Sequence, residues 1–288
     1  MGYTSLLAAA FLTSTLAVPC TAGQTDISFL VAGKTANYRQ WPNGGIEVLN
    51  YHFFAEIFLQ EDGKVQGATL LTPLAEQTVA FTDGGYALEL HGGRYRTEAE
   101  LETSYPDGHY TFSYTTPGMG SVSQQLQLGN PVAGGSGLPR APQIILSQHG
   151  KPVQPDRVDP VLDLRVSWSP FIAGMADPKA IMDDLIFVIM GDCEGVRRAH
   201  SGRPFENTSY LTYQDSYFVI RATLLQAENV YQVSVEHAVL ETGNEHNVIA
   251  FTTFASTTFL DIHTTGTAPA GKACHNIRKT FDAGQEIL

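Results

Sequence analysis

Tyr51-His52-Phe53-Phe54-Ala55-Glu56-Ile57-Phe58-Leu59 is an unbroken run dominated by ring and branched side chains, with no glycine or proline. Such residues favour a pleated strand, because they pack well on a half-buried sheet surface. The run closes at Glu61-Asp62-Gly63-Lys64, and a second strand-like run covers residues 65–72. Asp-Gly between two such runs is a strong hairpin signal, since both residues accept the positive φ of a tight turn. The two runs are therefore expected to pair with each other. Further short runs follow at a spacing of about ten residues, over 77–82, 86–91, 109–115 and 121–128, the rhythm of an antiparallel sandwich. Helical periodicity is almost absent. The best stretch, Pro178-Lys179-Ala180-Ile181-Met182, is hardly more than a turn. The expected fold class is all-β.

The chain has 288 residues, enough for one large domain or two ordinary ones. It carries 29 acidic and 17 basic side chains, for a formal net charge of −12. That balance argues against a nucleic-acid partner, which is held by clustered Lys and Arg. At the N-terminus, an apolar run over residues 6–18 precedes Pro19-Cys20-Thr21-Ala22-Gly23. A short apolar segment followed by small residues reads as a secretory signal peptide, residues 1–23, cleaved near Ala22 or Gly23. The run is too short to span a bilayer, and no second apolar stretch of spanning length follows. The expectation is a chain that does not span a membrane and is secreted, periplasmic or at the cell surface. Cys193 and Cys274 then remain as an even pair. In an oxidising compartment they are expected to form one disulfide.

The main punctuation is Gly129-Asn130-Pro131-Val132-Ala133-Gly134-Gly135-Ser136-Gly137-Leu138-Pro139-Arg140-Ala141-Pro142, too rich in Gly and Pro to continue a ladder. It is read as a linker over 129–142. A β-sandwich over 24–128 would precede it, a second over 143–265 would follow, and a tail over 266–288 would close the chain.

In the second half, Val161-Leu162-Asp163-Leu164-Arg165-Val166-Ser167-Trp168 alternates and ends on Trp168. Asp184-Leu185-Ile186-Phe187-Val188-Ile189-Met190 is apolar almost throughout, as a central strand would be. Leu225 precedes Tyr231 by six residues, and Val233 and Val235 continue an alternation. With these residues the stretch 140–265 resembles a fibronectin type III domain. The resemblance implies a core Trp on the second strand and a tyrosine corner, in which the Tyr231 ring fills the core while its hydroxyl bonds to upstream backbone. The stretch from Trp168 to Tyr231 is longer than such domains need, and the surplus is placed at 169–183. In the first half, Pro106-Asp107-Gly108-His109-Tyr110-Thr111-Phe112 is similar to the start of Ig-like modules of exported bacterial proteins, with Tyr110 as the corner residue. The two resemblances together imply two tandem antiparallel sandwiches.

Signatures of catalysis are missing from the sequence. There is no G-x-S-x-G elbow, P-loop, dinucleotide fingerprint or H-E-x-x-H helix. His237 lies on the alternation of Tyr231, Val233 and Val235 and is read as a core or strand-end histidine. Glu98, Glu100 and Glu102 alternate and are read as a solvated strand edge. A zinc site from Cys193, His200, Cys274 and His275 has suitable ligands in an unsuitable spacing. No cofactor or metal is assigned.

Ligand-binding candidates come from loops that an Ig-like topology would bring to one pole. They are Asp177, Asp183 and Asp184 in the surplus stretch, with Glu241, Glu245 and His246 before the last strand. An oxygen-rich cluster of this kind suits calcium better than zinc. Trp41, beside Pro42 in a turn, is the least core-like aromatic and could stack on a sugar. The leading expectation is an exported, non-catalytic binding or docking protein for a glycan, a surface component or a protein. The alternatives are an extracellular hydrolase whose carboxylates the sequence does not single out, and a structural spacer.

Overall fold

The computed structural model describes residues 26–74, 78–129, 137–204, 208–245 and 248–266. The first half supplies β1 (Ile27–Gln40), β2 (Ile46–Leu59), β3 (Gln66–Leu71), β4 (Thr78–Ala80), β5 (Thr82–Asp83), β6 (Ala87–Tyr95), helix α1 (Glu98–Ser104), β7 (Gly108–Thr116) and β8 (Gly120–Leu128). The second half supplies β9 (Ile144–Gln148), β10 (Lys151–Pro152), β11 (Leu164–Trp168), β12 (Leu185–Asp192), β13 (Arg197–His200), β14 (Leu211–Thr212), β15 (Tyr217–Ile220), β16 (Val230–Glu245) and β17 (Val248–His263). The chain is all-β.

One nine-stranded sheet takes strands from both halves, in the order β13-β12-β16-β17-β1-β2-β6-β5, with β14 beside β12. Its middle is a parallel ladder of β1 and β17, in register from Phe29↔Ile249 to Arg39↔Phe259. Two four-stranded sheets, β4-β3-β7-β8 and β10-β9-β11-β15, complete the fold. The expected division at 129–142 into two separately folded sandwiches therefore meets a shared sheet. The end of this stretch and the strand after it also bind that sheet directly. The Gln40 side chain exchanges two hydrogen bonds with the backbone of Ile144 (2.8 and 2.7 Å), and Ser256 Oγ donates to the Pro139 carbonyl at 2.6 Å.

Strand alternation explains how one sheet serves two cores. On β17, Val248, Ala250 and Phe254 pack with Leu30, Phe53, Ile57, Tyr110 and Phe112 under the first small sheet. Further along the same face, Leu260 and Ile262 pack with Trp168, Val188, Tyr231 and Val233 under the second. Residues of the other parity, including Phe251 and Ala255, join Phe29, Val31 and Leu185 on the opposite face. Both faces of the central strands are apolar.

The two tyrosine hydroxyls bond to upstream backbone. Tyr110 Oη donates to the Pro106 carbonyl at 2.8 Å, and Tyr231 Oη accepts from the Gln226 amide at 2.8 Å. Trp168 and Leu225 are buried in the second core.

Two local expectations are corrected. The runs on either side of Asp62-Gly63 do not pair: β2 lies in the large sheet between β1 and β6, and β3 lies in a small sheet between β4 and β7. Gly63 does take a positive φ of 75°. The turn nevertheless carries the chain from one layer to the other, so Val65 and Leu70 face Phe53, Ala55 and Ile57 across the core. Facing buries the apolar side of both runs at once, which pairing edge to edge would not.

The second correction concerns residues 98–104, which form a helix and not a strand edge. Thr97 Oγ1 accepts from the Glu100 amide (3.2 Å), and the Glu100 carboxylate accepts from the Thr97 amide (3.2 Å), a reciprocal capping box. Helical geometry keeps Glu98 and Glu102 on one side, turns Glu100 to the other and leaves Leu101 buried. Glu102 turns to the buried Lys34 of β1, whose Nζ reaches Glu102 Oε1 at 2.6 Å and Asp107 Oδ1 at 2.7 Å. The stretch 178–182 is not helical. The signal segment, Cys274 and the tail from 267 onward lie outside the described residues, as do 130–136 of the linker.

The shared sheet makes a definite prediction. A protease site introduced between residues 130 and 136 and then cleaved should leave both pieces eluting as one particle under native conditions, parting only in denaturant. Independent elution of two folded pieces would contradict the β1–β17 ladder.

Candidate functional site

The face of the large sheet turned away from the small sheets is concave. Four bulges interrupt its ladders, at Ile27/Phe29 and Asn37/Tyr38 between β1 and β2, at Met190/Gly191 between β12 and β13, and at His52/Phe54 between β2 and β6. Bulges add local twist and bend a strand. At the last of them, Gly92 and Gly93 stand opposite Phe53, and Gly93 takes a φ of 88° that a side chain would strain. In the hollow, Gly33 has no room for a side chain, since a Cβ there would lie 2.4 Å from Thr253 Cγ2. The curl brings the margins of the sheet together. The Arg203 guanidinium, just beyond β13, lies 5.5 Å from the ring centres of both Phe58 on β2 and Tyr86 before β6.

The hollow encloses a cavity of about 360 Å³. Its walls are mostly apolar and include Phe29, Phe54, Phe58, Phe187, Phe251 and Phe259. Into this space β2 projects Glu56 and β16 projects Glu236. Glu236 Oε2 accepts a 2.6 Å bond from Thr257 Oγ1. Burial pushes the Glu56 carboxyl up to about 7; repulsion from Glu89 acts in the same sense, Arg203 opposes it, and Glu236 adds to the rise. Burial also raises Glu236, against the Thr257 bond. Removing charged oxygen from water favours the proton-bound form, which is the cause in both cases.

Histidines around the hollow shift the other way. Burial takes His52 down to about 4, with the Gly93 carbonyl opposing and Arg94 and His91 adding to the fall. Burial, with Arg203 and Arg197, takes His200 to about 4 as well. Both are neutral at physiological pH. Arg94 Nη1 donates to Asn50 Oδ1 at 3.1 Å, and Asn50 Oδ1 also accepts from Asn37 Nδ2 at 2.9 Å.

The loop candidates behave differently. The surplus stretch and the end of β16 do meet: Thr242 Oγ1 donates to Asp177 Oδ2 at 2.6 Å, and Lys179 Nζ donates to the Thr242 carbonyl. The aspartate oxygens, however, are taken up by the protein's own backbone. Asp177 accepts from the amides of Lys179, Ile181 and Met182. Burial would raise its carboxyl, but these bonds and that of Thr242 outweigh burial and bring it to about 2. Asp183 accepts from the Asp177 amide at 2.9 Å. Asp184, buried, accepts from Met175 N at 2.9 Å and Leu240 N at 2.7 Å. These residues tie a long loop to the sheet. Among the described residues no group of three or more His, Cys, Asp or Glu is placed to hold a metal.

Glu241 is exposed, while the Glu245 side chain and His246 lie outside the described residues. Trp41 is 39% exposed in the β1–β2 turn, and its Nε1 donates to Glu47 at 3.2 Å. It stands near Asp261 and His263, at the opposite end of β17 from the strand end that meets the aspartate loop. The structure does not bring Trp41 and the aspartates together. His237, on the core face of β16, is buried against Phe171 at 4.4 Å between ring centres.

Glu56 and Glu236 were not among the sequence candidates. Their signal was a lone carboxylate inside a strand whose two faces both read as apolar, in His52-Phe53-Phe54-Ala55-Glu56-Ile57-Phe58 and in Val233-Ser234-Val235-Glu236-His237-Ala238. No family model matches the chain, and no curated protein sequence matches it.

Two measurements check these assignments. Asp184→Ala removes a buried acceptor shared by the part-buried amides of Met175 and Leu240 and should lower the unfolding free energy by about 1–3 kcal/mol in urea. Unchanged stability would return the aspartates to the list of site candidates. For Glu56, the raised folded value means that its proton is bound more tightly in the native state. Native stability from this group is therefore lost as pH rises from its ordinary 4.5 through about 7. Glu56→Gln should gain about 1–3 kcal/mol on the wild type across that window. The buried histidines have the opposite slope, but they are common to both proteins and cancel in the difference. Parallel stability profiles for the two proteins would contradict the buried carboxyl.

Proposed function

We propose that this chain is a non-catalytic binding protein that lodges a small, largely apolar ligand in the cavity of the curled central sheet. The observation that carries this reading is the cavity itself. Its volume of about 360 Å³ falls in the range typical of small-molecule sites, and such sites are apolar with a few placed polar groups. The walls come from β1, β2, β12, β16 and β17, elements anchored by two cores on the other side, so the pocket is preformed. A preformed pocket spares the ordering cost of binding.

This reading narrows the broader expectation of a glycan, surface or protein ligand. A glycan would meet a wall whose surface is mostly apolar, with six phenylalanine rings on it. A hydrolase would take Glu56 and Glu236 as its carboxyl pair, since a carboxyl raised to about 7 suits a general acid. The mostly apolar surface of the wall weighs against it. Export of the chain is part of the proposal, resting on the apolar run at 6–18 and the small residues after it. So is the Cys193–Cys274 bridge, which would tie the tail to the turn between β12 and β13. Kinship with Ig-like or fibronectin type III sandwiches rests on Trp168, Leu225, Tyr231 and Tyr110.

An environment-sensitive naphthalene dye should bind the folded protein with saturable, one-to-one fluorescence enhancement. Ala238→Phe, which fills the cavity from β16, should reduce its affinity by about tenfold or more. Equal dye binding by the two folded proteins would overturn the assignment of the ligand to this cavity.

A further inference from the structure

We infer that the outer edge of β8 is a docking site for an extended peptide carrying a basic residue, which adds to the first small sheet as a further strand. The site lies on the opposite face of the large sheet from the cavity and does not depend on it.

Strand length and composition single out this edge. One small sheet ends at β4 and β8, the other at β10 and β15, and the large sheet ends at β13 and β5. Apart from β8, these edge strands run only two to four residues. β8 runs nine, and it reads Gly-Ser-Val-Ser-Gln-Gln-Leu-Gln-Leu, with no charge and no proline. Its ladder with β7 has no bulge. Short length, charge, proline and bulges are the devices that keep an edge from pairing, and β8 has none of them.

Hydrogen bonding shows which backbone groups face outward. Thr252 Oγ1, from β17 in the layer below, donates to the Gln127 carbonyl at 3.1 Å, so that carbonyl is turned away from β7. The alternation of an antiparallel ladder then turns the N–H and C=O of Ser121, Ser123 and Gln125 outward as well. No strand among the described residues pairs with them. An extended peptide presents the matching row of alternating donors and acceptors.

A groove of about 300 Å³ follows this edge. Residues 124–127 form one wall, and Ala250 and Thr252 of β17 lie on the floor beside Glu241 and Gly243 of β16. Here the large sheet extends beyond β17 by β16 alone, because the pairing of β16 with β12 stops at Ala238. The floor therefore has the width of a single added strand. A second copy of this chain, paired edge to edge, would have to bring its own β16 and β17 into that same width.

Gln124 marks a missing partner. It faces inward with Leu126 and Leu128, is only 1% exposed, and neither its Nε2 nor its Oε1 has a hydrogen-bond partner among the described residues. Buried carboxamides are seldom left in that state. One acceptor and one donor are what a peptide group offers in return. Charge chooses among peptides. The groove is lined by two titratable residues, Glu241 and His109. Glu241 is exposed, shares the floor side of the sheet with its ladder partner Thr252, and is in no ion pair among the described residues. Lys179 belongs to the aspartate loop on the other face, where its ammonium donates to the Thr242 carbonyl. A Lys or Arg of the peptide can pair with Glu241, and the net charge of −12 favours the approach of a basic segment.

The test is selection on the full chain from a displayed library of random nine-residue peptides. Enriched sequences should carry Lys or Arg, and the best of them, synthesised, should bind one to one. N-methylation of alternate residues in one register should weaken binding about tenfold or more, and in the other register less than about twofold, since a strand pairs through one side. Ser123→Pro removes an outward N–H at a place where edge strands tolerate proline. It should lower affinity about tenfold or more at an unchanged melting temperature. Glu241→Lys should lower affinity about tenfold. Gln124→Met replaces the unbonded carboxamide with an apolar chain of similar size, so it should raise the melting temperature while weakening the peptide. Failure to enrich any peptide, N-methylation effects that do not depend on register, or equal binding by the wild type and the Ser123→Pro and Glu241→Lys proteins would overturn the inference. A dimer of the free protein that Ser123→Pro abolishes would overturn it too, by giving the edge to a second copy.

Discussion

The parallel ladder between β1 and β17 joins the first described strand to the last, across more than two hundred residues of chain. Closing so long a loop costs conformational entropy that no local turn can offset. The compensation lies in burial on both faces at once. β1 contributes Leu30 and Ala32 to one core and Phe29 and Val31 to the opposite face, and β17 does the same with Ala250 and Phe251. Parallel strands are characteristically covered on both sides, and this pair obeys that rule inside an otherwise antiparallel sheet.

The rest of the molecule is arranged around that seam. Each half completes a small sheet of its own over its share of the common sheet, with a tyrosine hydroxyl pinning a turn at the edge of each core. Because both cores draw on one side of β17, they hold the seam as a rigid spine. The far side is left to curl, helped by the bulges and by Gly33 and Gly93. Curling encloses the cavity and moves two carboxyls from distant strands into one apolar space. The site thus depends on long-range topology more than on any loop, which is why loop-based candidates such as Asp177 and Asp184 turn out to hold the backbone instead.

Much of this was legible in the residues. The all-β class followed from short runs broken by turns, the buried places of Trp168, Leu225 and Tyr231 were what the resemblance to fibronectin type III domains implied, and the buried place of His237 followed from its alternation. What was not legible has physical reasons. Asp62-Gly63 specifies a reversal of direction but not whether the returning strand lies beside its predecessor or across a core from it. The helix at 98–104 was signalled by Thr97 and Glu100, a capping pair whose weight was lost to the apparent alternation of three glutamates. The β1–β17 pairing leaves no local trace, since a Gly/Pro-rich stretch marks a break in the ladder whether or not the flanking halves share a sheet. Glu56 and Glu236 stood out only once both faces of their strands were seen to be covered.

Amide hydrogen exchange resolved along the chain tests the shared sheet most directly. If β1 and β17 are the central pair, their amides exchange together in the slowest class, well behind the marginal strands β5 and β13. If the halves are separate sandwiches, β1 and β17 become edge strands, and alternate amides of each exchange as fast as those of β5 and β13. That second pattern would contradict the seam on which the cavity depends.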